Sequence, residues 1–199
     1  MTGASTRGGV LACTTLAGFA MDDMMRDAGW RFLMIGRRIE RLQFLSLAAA
    51  GILERYDGTM APIECLLELS ESSDAFRTRY QRPPELLPAV DLVVLDEANP
   101  HGILPQAELL ERYLDRLGRD LPVPPSARLA DAITAVRAVD LSPLEALPDA
   151  DGVLTAAARA VDLAGRLRNL SAMAGELSDQ LVRAHFSHVG TLGQRTVTA

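Results

Sequence analysis

Aromatic side chains and cysteines are scarce in this sequence, and both shortages narrow the fold. Phe, Trp and Tyr together make up 5% of the residues, whereas leucine and alanine are plentiful. Strands favour aromatic and β-branched residues, and helices favour Leu and Ala. We therefore predict an all-α fold, a helical bundle of about six helices with one long C-terminal helix. Cys13 and Cys65 lie far apart, with no CxxC motif and no histidine nearby, which predicts two buried thiols in a reducing, cytoplasmic compartment.

Long apolar runs and a positive net charge are also missing. No stretch approaches the roughly 20 apolar residues of a membrane span, and the apolar run before Cys13 is too short for a secretory signal. The formal net charge is −6, so the chain as a whole is not attracted to nucleic acid or to an anionic membrane. We expect protein or small-molecule partners, with no nucleic acid and no membrane.

Recognisable catalytic motifs are absent too. The sequence has no nucleophile elbow, no Cys-His signature and no glycine-rich phosphate loop. His185 and His188 are spaced for one helix face but lack the further ligands of a metal site, and His101 is predicted to be a solvated loop residue. No metal or cofactor is therefore expected, and the sequence leaves open whether the chain is an enzyme.

The segment from Gly29 to Tyr56 is the centre of the predicted fold. Its large apolar residues point in nearly every direction around a helix, which is typical of a buried helix. Its interior Gly36 is predicted to let a neighbouring backbone come close. Charged residues share the same turns, so we predict that charges are drawn inside the bundle. The charged residues concerned are Arg31, Arg37, Arg38, Glu40 and Arg41.

Buried arginines need carboxylate partners or an anionic ligand, because each unpaired buried ion costs several kcal/mol. Arginine pairs equally well with a carboxylate, a phosphate or a peptide C-terminus. Two interpretations stay open: a structural salt-bridge network and a ligand or reaction site. The candidate carboxylate partners are Glu68, Asp96, Glu108 and Glu111.

The rest of the chain divides at prolines and glycines. We predict a flexible leader at 1–9, a single domain at 10–189 and a flexible tail at 190–199. Within the domain, the run Pro88–Leu95 is left open between a buried helix and an extended connector. The predicted helices besides the central one are Val10–Met25, Ile63–Tyr80 with Cys65 and Leu69 on its apolar face, Leu104–Leu117, Ser126–Val139 and Val153 to about His188. The last of these carries an apolar stripe of Leu163, Leu167, Leu170, Met173, Leu177 and Leu181.

Three motifs in order, GWRFLMIGRRIER, LLELSESSDAFRTRY and LVVLDEANP, resemble the bacterial alpha-E domain family, a helical domain of unknown function. The resemblance runs from about Leu16 to Tyr113 and, more loosely, through the last long helix. Its motif positions are Trp30, Arg31, Gly36, Arg37, Arg38, Glu40, Arg41, Glu68, Ser72, Ser73, Arg79, Tyr80, Asp96, Asn99, Pro100 and Gln106. Family members usually begin with an earlier arginine-rich helix, so this chain resembles the later two thirds of the domain. We therefore expect either a shortened domain or a bundle completed by a partner, possibly a second copy.

The resemblance also implies partners. Family members typically follow, or are encoded beside, a circularly permuted ATP-grasp ligase-like protein and a transglutaminase-like protease. One hypothesis is a non-catalytic accessory subunit of a peptide-forming or peptide-modifying system. The alternative is an enzyme or binding pocket for an anionic or peptide-like substrate. The candidate polar network or anion site comprises Arg31, Arg37, Arg38, Glu40, Arg41, Glu68, Ser72, Arg79, Tyr80, Asp96 and Asn99.

Overall fold

The computed structural model describes residues 24–124, 126–142 and 152–186, with side chains in the last range described from residue 162. These ranges contain α-helices and one π-helical turn but no strand, which confirms the all-α prediction. Most of the predicted first helix, Cys13, the predicted turn region at 143–151, His188 and the predicted tail lie outside the described residues.

The helices follow one another through short connections. They are α1 (Ala28–Glu54), α2 (Ala61–Leu69), α3 (Ser73–Tyr80), α4 (Leu86–Val90), the π-helical turn Asp91–Leu95, α5 (Ile103–Leu117), α6 (Ala127–Arg137) and α7 (Gly152–His185). The last of these is the long C-terminal helix that the sequence predicts.

Helix α1 is the element on which the others are assembled. The side chain of Asp27 caps it by accepting a hydrogen bond from the Trp30 N–H at 3.0 Å. Its core-facing side packs against α2, α5 and, most extensively, α7. The prediction that α1 is buried all round is wrong, because Leu33, Phe44 and Leu47 are 37%, 53% and 46% exposed.

The charges of α1 are not drawn inside as predicted. Arg37 and Glu40 are exposed, whereas Arg31, Arg38 and Arg41 are half-buried. Long arginine side chains reach solvent from the edge of the packed face while their stems cover apolar surface. The second prediction for this helix, a close backbone approach at Gly36, is not met by the described residues, because a Cβ there would meet none of their atoms within 4 Å.

Helix α7 supplies the long apolar face against α1 and α6. All the residues of its predicted stripe are buried, with exposures from 0% at Leu167 and Leu170 to 8% at Met173. The three- and four-residue spacing of apolar residues therefore predicts this face correctly.

The segment Ile63–Tyr80 forms two helices instead of the single one predicted. The break falls at Ser70 to Ser72, where the hydroxyl of Ser70 donates to the Leu67 carbonyl and that of Ser72 donates to the Ser70 carbonyl. Glu71 between them has a φ of 56°, in the left-handed region. Serine side chains that bond to nearby backbone groups compete with the helix, and here they end it.

The turn also changes which residues of α2 face the core. Ile63, Leu66 and Leu67 are buried, whereas Cys65 is exposed and Leu69 is 38% exposed. The predictions of a buried Cys65 thiol and of a core-facing Leu69 are therefore wrong.

The ambiguous run before the third motif is a buried helical segment. Helix α4 continues into the π-helical turn, in which Leu92, Val93 and Val94 are buried. Helix α5 then begins at Ile103, slightly earlier than predicted, because Pro105 sits in the first turn, where no intrahelical N–H donor is needed. Among the described residues, no helix combines the length and the apolar character that crossing a membrane requires.

Candidate functional site

Three arginines of α1 line a cleft of about 340 Å³ at the N-terminal half of that helix. Arg37, Arg38 and Arg41 lie within two turns, so their side chains leave the same side of α1. The opposite wall comes from the turn between α2 and α3 and from the loop that leads into α5. We call this the arginine cleft; its lining residues are Met34, Arg37, Arg38, Arg41, Glu71, Pro100, His101 and Gln106.

Arg41 is the most heavily bonded of the three arginines. Its Nη1 donates to Oε1 of Glu71 at 2.9 Å, and its Nη2 lies 3.2 Å from Nδ1 of His101. A longer contact of 3.4 Å joins Nη2 to the Ser70 carbonyl. The buried Nε of Arg41 has no hydrogen-bond partner among the described residues. The guanidinium is thus held from two sides and keeps one unused donor.

Arg38 and Arg37 carry positive charge without a carboxylate partner in the described part of the chain. Nη1 of Arg38 donates to the neutral amide oxygen of Gln106 at 2.6 Å. Burial lowers the pKa of the Arg38 guanidinium, the nearby Tyr113 opposes this, and the Arg37 and Arg41 charges lower the pKa further. Arg37 is exposed and makes no hydrogen bond or ion pair to a described residue. This side of the cleft therefore carries excess positive charge.

A network around Asn99 positions the loop that bears His101. Asn99 is only 4% exposed, and its Nδ2 donates to the Ser72 hydroxyl at 3.0 Å and to the Leu92 carbonyl at 2.9 Å. Its Oδ1 accepts from the backbone N–H of His101 at 3.2 Å. A single buried amide thereby ties together the α2–α3 turn, the π-helical turn and the His101 loop.

The chemistry of the cleft is that of an anion site. The sequence contains arginine but no lysine, and the three arginines in the cleft face one carboxylate, that of Glu71. Guanidinium groups offer a planar fork of donors that matches the oxygens of carboxylates and phosphates. An arrangement with more guanidinium than carboxylate groups is suited to binding a negatively charged ligand.

The other predicted site residues lie outside the cleft. Arg31 pairs with Asp120, and Arg79 pairs with Asp96. Glu40 is exposed on α1, and Tyr80 packs against Phe76 with ring centroids 4.7 Å apart. Glu68 lines a separate cavity with Glu64, Phe76 and Arg77, and Glu108 pairs with Arg137.

These placements separate the predicted proton-handling residues from the arginines. Asp96 is occupied by Arg79, and Glu68 lies in a different cavity. Of the four candidate carboxylate partners, none lines the arginine cleft. The structure brings together Arg37, Arg38 and Arg41, with Ser72 and Asn99 supporting the loops opposite them.

Sequence reasoning missed two titratable residues of the cleft, Glu71 and His101. His101 lies in a loop, as predicted, but its side chain is only 42% exposed and contacts Arg41 and Glu71, so it is not simply solvated. Glu71 stands between two serines in a motif predicted to be helical. The Ser-Glu-Ser-Ser run could have indicated a turn at Glu71. Serine side chains bond to nearby backbone groups in place of the helical hydrogen bonds, and several of them close together favour a turn.

The described residues contain no group of three or more His, Cys, Asp or Glu side chains placed to hold a metal ion. His185, a candidate in the sequence, donates from Nε2 to the Pro122 carbonyl at 2.8 Å and packs against Phe32. It therefore contributes to packing at the end of α7.

Comparisons with known proteins agree with the fold and the motifs. The sequence model of the Alpha-E family, described as a predicted α-helical domain with a conserved ER motif, matches residues 6–186. Uncharacterized proteins of Mycobacterium bovis and of two Mycobacterium tuberculosis strains are each 34% identical over 122 residues, 60% of this chain and 13% of the relative. The matched stretch is thus a small part of each relative. No solved structure matches.

The chain has Glu-Arg pairs at positions 40–41, 54–55 and 111–112. Only the first of these pairs contributes a residue to the arginine cleft, namely Arg41. The family match confirms the predicted resemblance.

Proposed function

The chain belongs to the Alpha-E family, and we propose that it is a non-catalytic accessory subunit that binds an anionic group of a peptide-like ligand in the arginine cleft. The proposed setting is a cytoplasmic system that forms or modifies peptides. The proposed partners are a circularly permuted ATP-grasp-type protein and a transglutaminase-like protein. The observation that carries the proposal is the excess of guanidinium over carboxylate groups in the cleft.

The charges of the cleft support binding more than structural pairing. A network that only fixes helix register is expected to match its cations with carboxylates. Here Arg38 has a neutral amide partner, and Arg37 has no partner among the described residues. Both guanidinium groups open into a cavity that solvent reaches. A ligand carboxylate or phosphate would accept hydrogen bonds from these guanidinium groups and neutralise their charge.

An apolar surface beside the cleft supports the accessory role. Leu33, Phe44 and Leu47 lie along one side of α1, and we call them the apolar stripe. Beyond Leu47, a groove of about 390 Å³ continues over Ile52, Cys65 and Leu69. Exposed apolar surface of this kind marks protein interaction sites. Arg37 and Glu40 lie on the same side of α1 between Leu33 and Phe44. A partner that covers this side would therefore also contact Arg37, which lines the cleft.

Anion binding to purified protein tests the proposal. We expect at least one anion of a panel of acetate, inorganic phosphate and citrate to bind, measured by calorimetry at low ionic strength. We expect the Arg38→Met variant to bind about tenfold or more weakly, because a charge-assisted hydrogen bond is worth roughly 1.5–3 kcal/mol.

The matched control is Arg112→Met, which removes an exposed arginine of α5 outside the cleft. It should bind as the wild type does, and circular dichroism should show that both variants fold. Equal binding by the two variants, or no binding of any anion to the wild type, contradicts the proposal. Unfolding of Arg38→Met would assign that residue to structure, and Arg37→Met then repeats the test at an exposed position.

A further inference from the structure

Glu71 places a carboxylate inside the arginine cleft. Its Oε1 accepts from Arg41 at 2.9 Å, and its Oε2 lies 3.6 Å from Nδ1 of His101. The hydrogen bond from Arg41 holds the pKa of Glu71 below its usual range, so the group is ionised at neutral pH. The cleft therefore already contains one carboxylate, bonded to the arginine that makes the most contacts.

The solvent exposure of the Glu71 side chain allows this carboxylate to leave, although the backbone is fixed. Its φ of 56° lies in the left-handed region, which non-glycine residues seldom adopt. The Glu71 N–H bonds to the Glu68 carbonyl at 3.0 Å, so the turn itself is fixed. The side chain, in contrast, is 61% exposed. It can rotate into solvent without disturbing the core.

The charges of the other cleft arginines determine which anionic ligands bind more favourably than the Glu71 carboxylate does. A ligand carboxylate that reaches Arg41 replaces one carboxylate by another and leaves the charge of the site unchanged. A phosphate dianion carries a second charge and three acceptor oxygens. Those oxygens match the guanidinium groups of Arg37 and Arg38, which lack a carboxylate partner in the described part of the chain.

We infer that the arginine cleft selects phosphate groups over carboxylates, and that Glu71 is the residue that determines this selectivity by acting as an internal carboxylate competitor. The inference rests on the proposed anion-binding function and specifies its ligand class. A monoanion gains little by entering, because it only takes the place of the Glu71 carboxylate at Arg41. A phosphate displaces Glu71, because it also binds Arg37 and Arg38.

The test compares inorganic phosphate with acetate at about pH 8, where phosphate is mostly dianionic, and at constant ionic strength. The proteins are the wild type, Glu71→Gln and Glu68→Gln. The last is the matched control, because Glu68 is an exposed glutamate three positions away that lines a different cavity.

We expect the wild type to bind phosphate about tenfold more tightly than acetate. Glu71→Gln should bind acetate on the order of tenfold more tightly than the wild type, since a like charge at hydrogen-bonding distance is removed. Glu68→Gln should keep the wild-type ratio. Equal binding of acetate and phosphate by the wild type, or identical behaviour of the two variants, overturns the inference. Either of these results would still be compatible with anion binding that depends on Arg38. Failure of the selectivity is therefore distinguishable from failure of the proposed function.

The phosphate could be presented by a nucleotide or by a phosphorylated peptide. Titration with ADP and with a phosphoserine peptide separates these sources, and the tighter ligand identifies the source. The controls are adenosine and the unphosphorylated peptide, which should bind far more weakly than their phosphorylated counterparts. Equal affinity with and without the phosphate overturns the inference for both sources.

Discussion

At the scale of single residues, Asn99 connects the packing of the fold to the cleft. Its amide group satisfies a buried carbonyl at Leu92, a hydroxyl at Ser72 and the backbone N–H of His101. We expect Asn99→Ala to lower the free energy of unfolding by about 2 kcal/mol, because the variant leaves buried polar groups without partners. Urea denaturation followed by circular dichroism measures this loss.

The control for Asn99 is Ser72→Ala, which removes only one of the three partners. The Ser72 hydroxyl also donates to the Ser70 carbonyl at 3.2 Å, so some loss is expected. We expect a cost of about 1 kcal/mol, the net value of a typical hydrogen bond. An Asn99→Ala variant that is as stable as the wild type would show that water or a backbone shift replaces the amide.

At the scale of helices, the glycines differ in how much space surrounds them. A Cβ at Gly36, in the interior of α1, would meet no atom of the part of the chain that the structure describes within 4 Å. We therefore expect Gly36→Ala to stabilise the protein by roughly 0.5–1 kcal/mol, because alanine loses less backbone entropy in a helix than glycine does. Thermal unfolding should show a midpoint about 1–4 °C higher.

The matched substitution is Gly102→Ala at the start of α5. A Cβ at Gly102 would lie 3.2 Å from the carbonyl oxygens of both Asn99 and Val93, and these are backbone atoms in a buried region. This variant should be less stable than the wild type. If Gly36→Ala were also destabilising, the open surface around Gly36 would be occupied in solution.

Helix periodicity explains why the long helices could be predicted. The stripe of α7 repeats apolar residues over many turns, and burial follows directly from that repetition. On α1 the same method failed, because Leu33 and Phe44 are apolar but exposed. Hydrophobicity alone does not distinguish a residue that faces the core from one that faces a partner.

The candidate site was only half predictable for a related reason. The grouping of the three arginines can be predicted because positions i, i+1 and i+4 share one side of a helix. Their partners come from loops that are distant in sequence. Glu71 and His101 are 30 and 60 positions from Arg41. Nothing in local spacing indicates such contacts, which depend on how α1, α2 and α5 pack.

At the scale of the whole molecule, the cleft contrasts with the net charge. The chain carries −6, yet the cleft has three arginines and one glutamate. General attraction of anions is therefore weak, and recognition has to occur at short range, at the cleft itself. In the mycobacterial relatives the matched stretch is 13% of the protein, so there this domain is joined to much more chain. A surface for contact with other domains or subunits is consistent with that arrangement.

The apolar stripe is the surface on which we expect such a contact. Phe44 is its most exposed member, at 53%. We expect Phe44→Ser to weaken binding to the proposed ATP-grasp-type partner by about tenfold or more in affinity, measured by co-purification, because large buried aromatic residues dominate interface energies. The fold should be unaffected, since Phe44 is largely exposed.

Val182→Ser is the matched control, because Val182 is 52% exposed and belongs to α7 instead of to the stripe of α1. This variant should bind the ATP-grasp-type protein as the wild type does. Size-exclusion chromatography of each protein alone tests a second copy as the occupant, since Phe44→Ser would then shift a dimer towards monomer. If Phe44→Ser binds the partner as the wild type does, or if both variants lose binding equally, the partner contacts a different surface. The proposal that the partner binds beside the cleft would then be wrong.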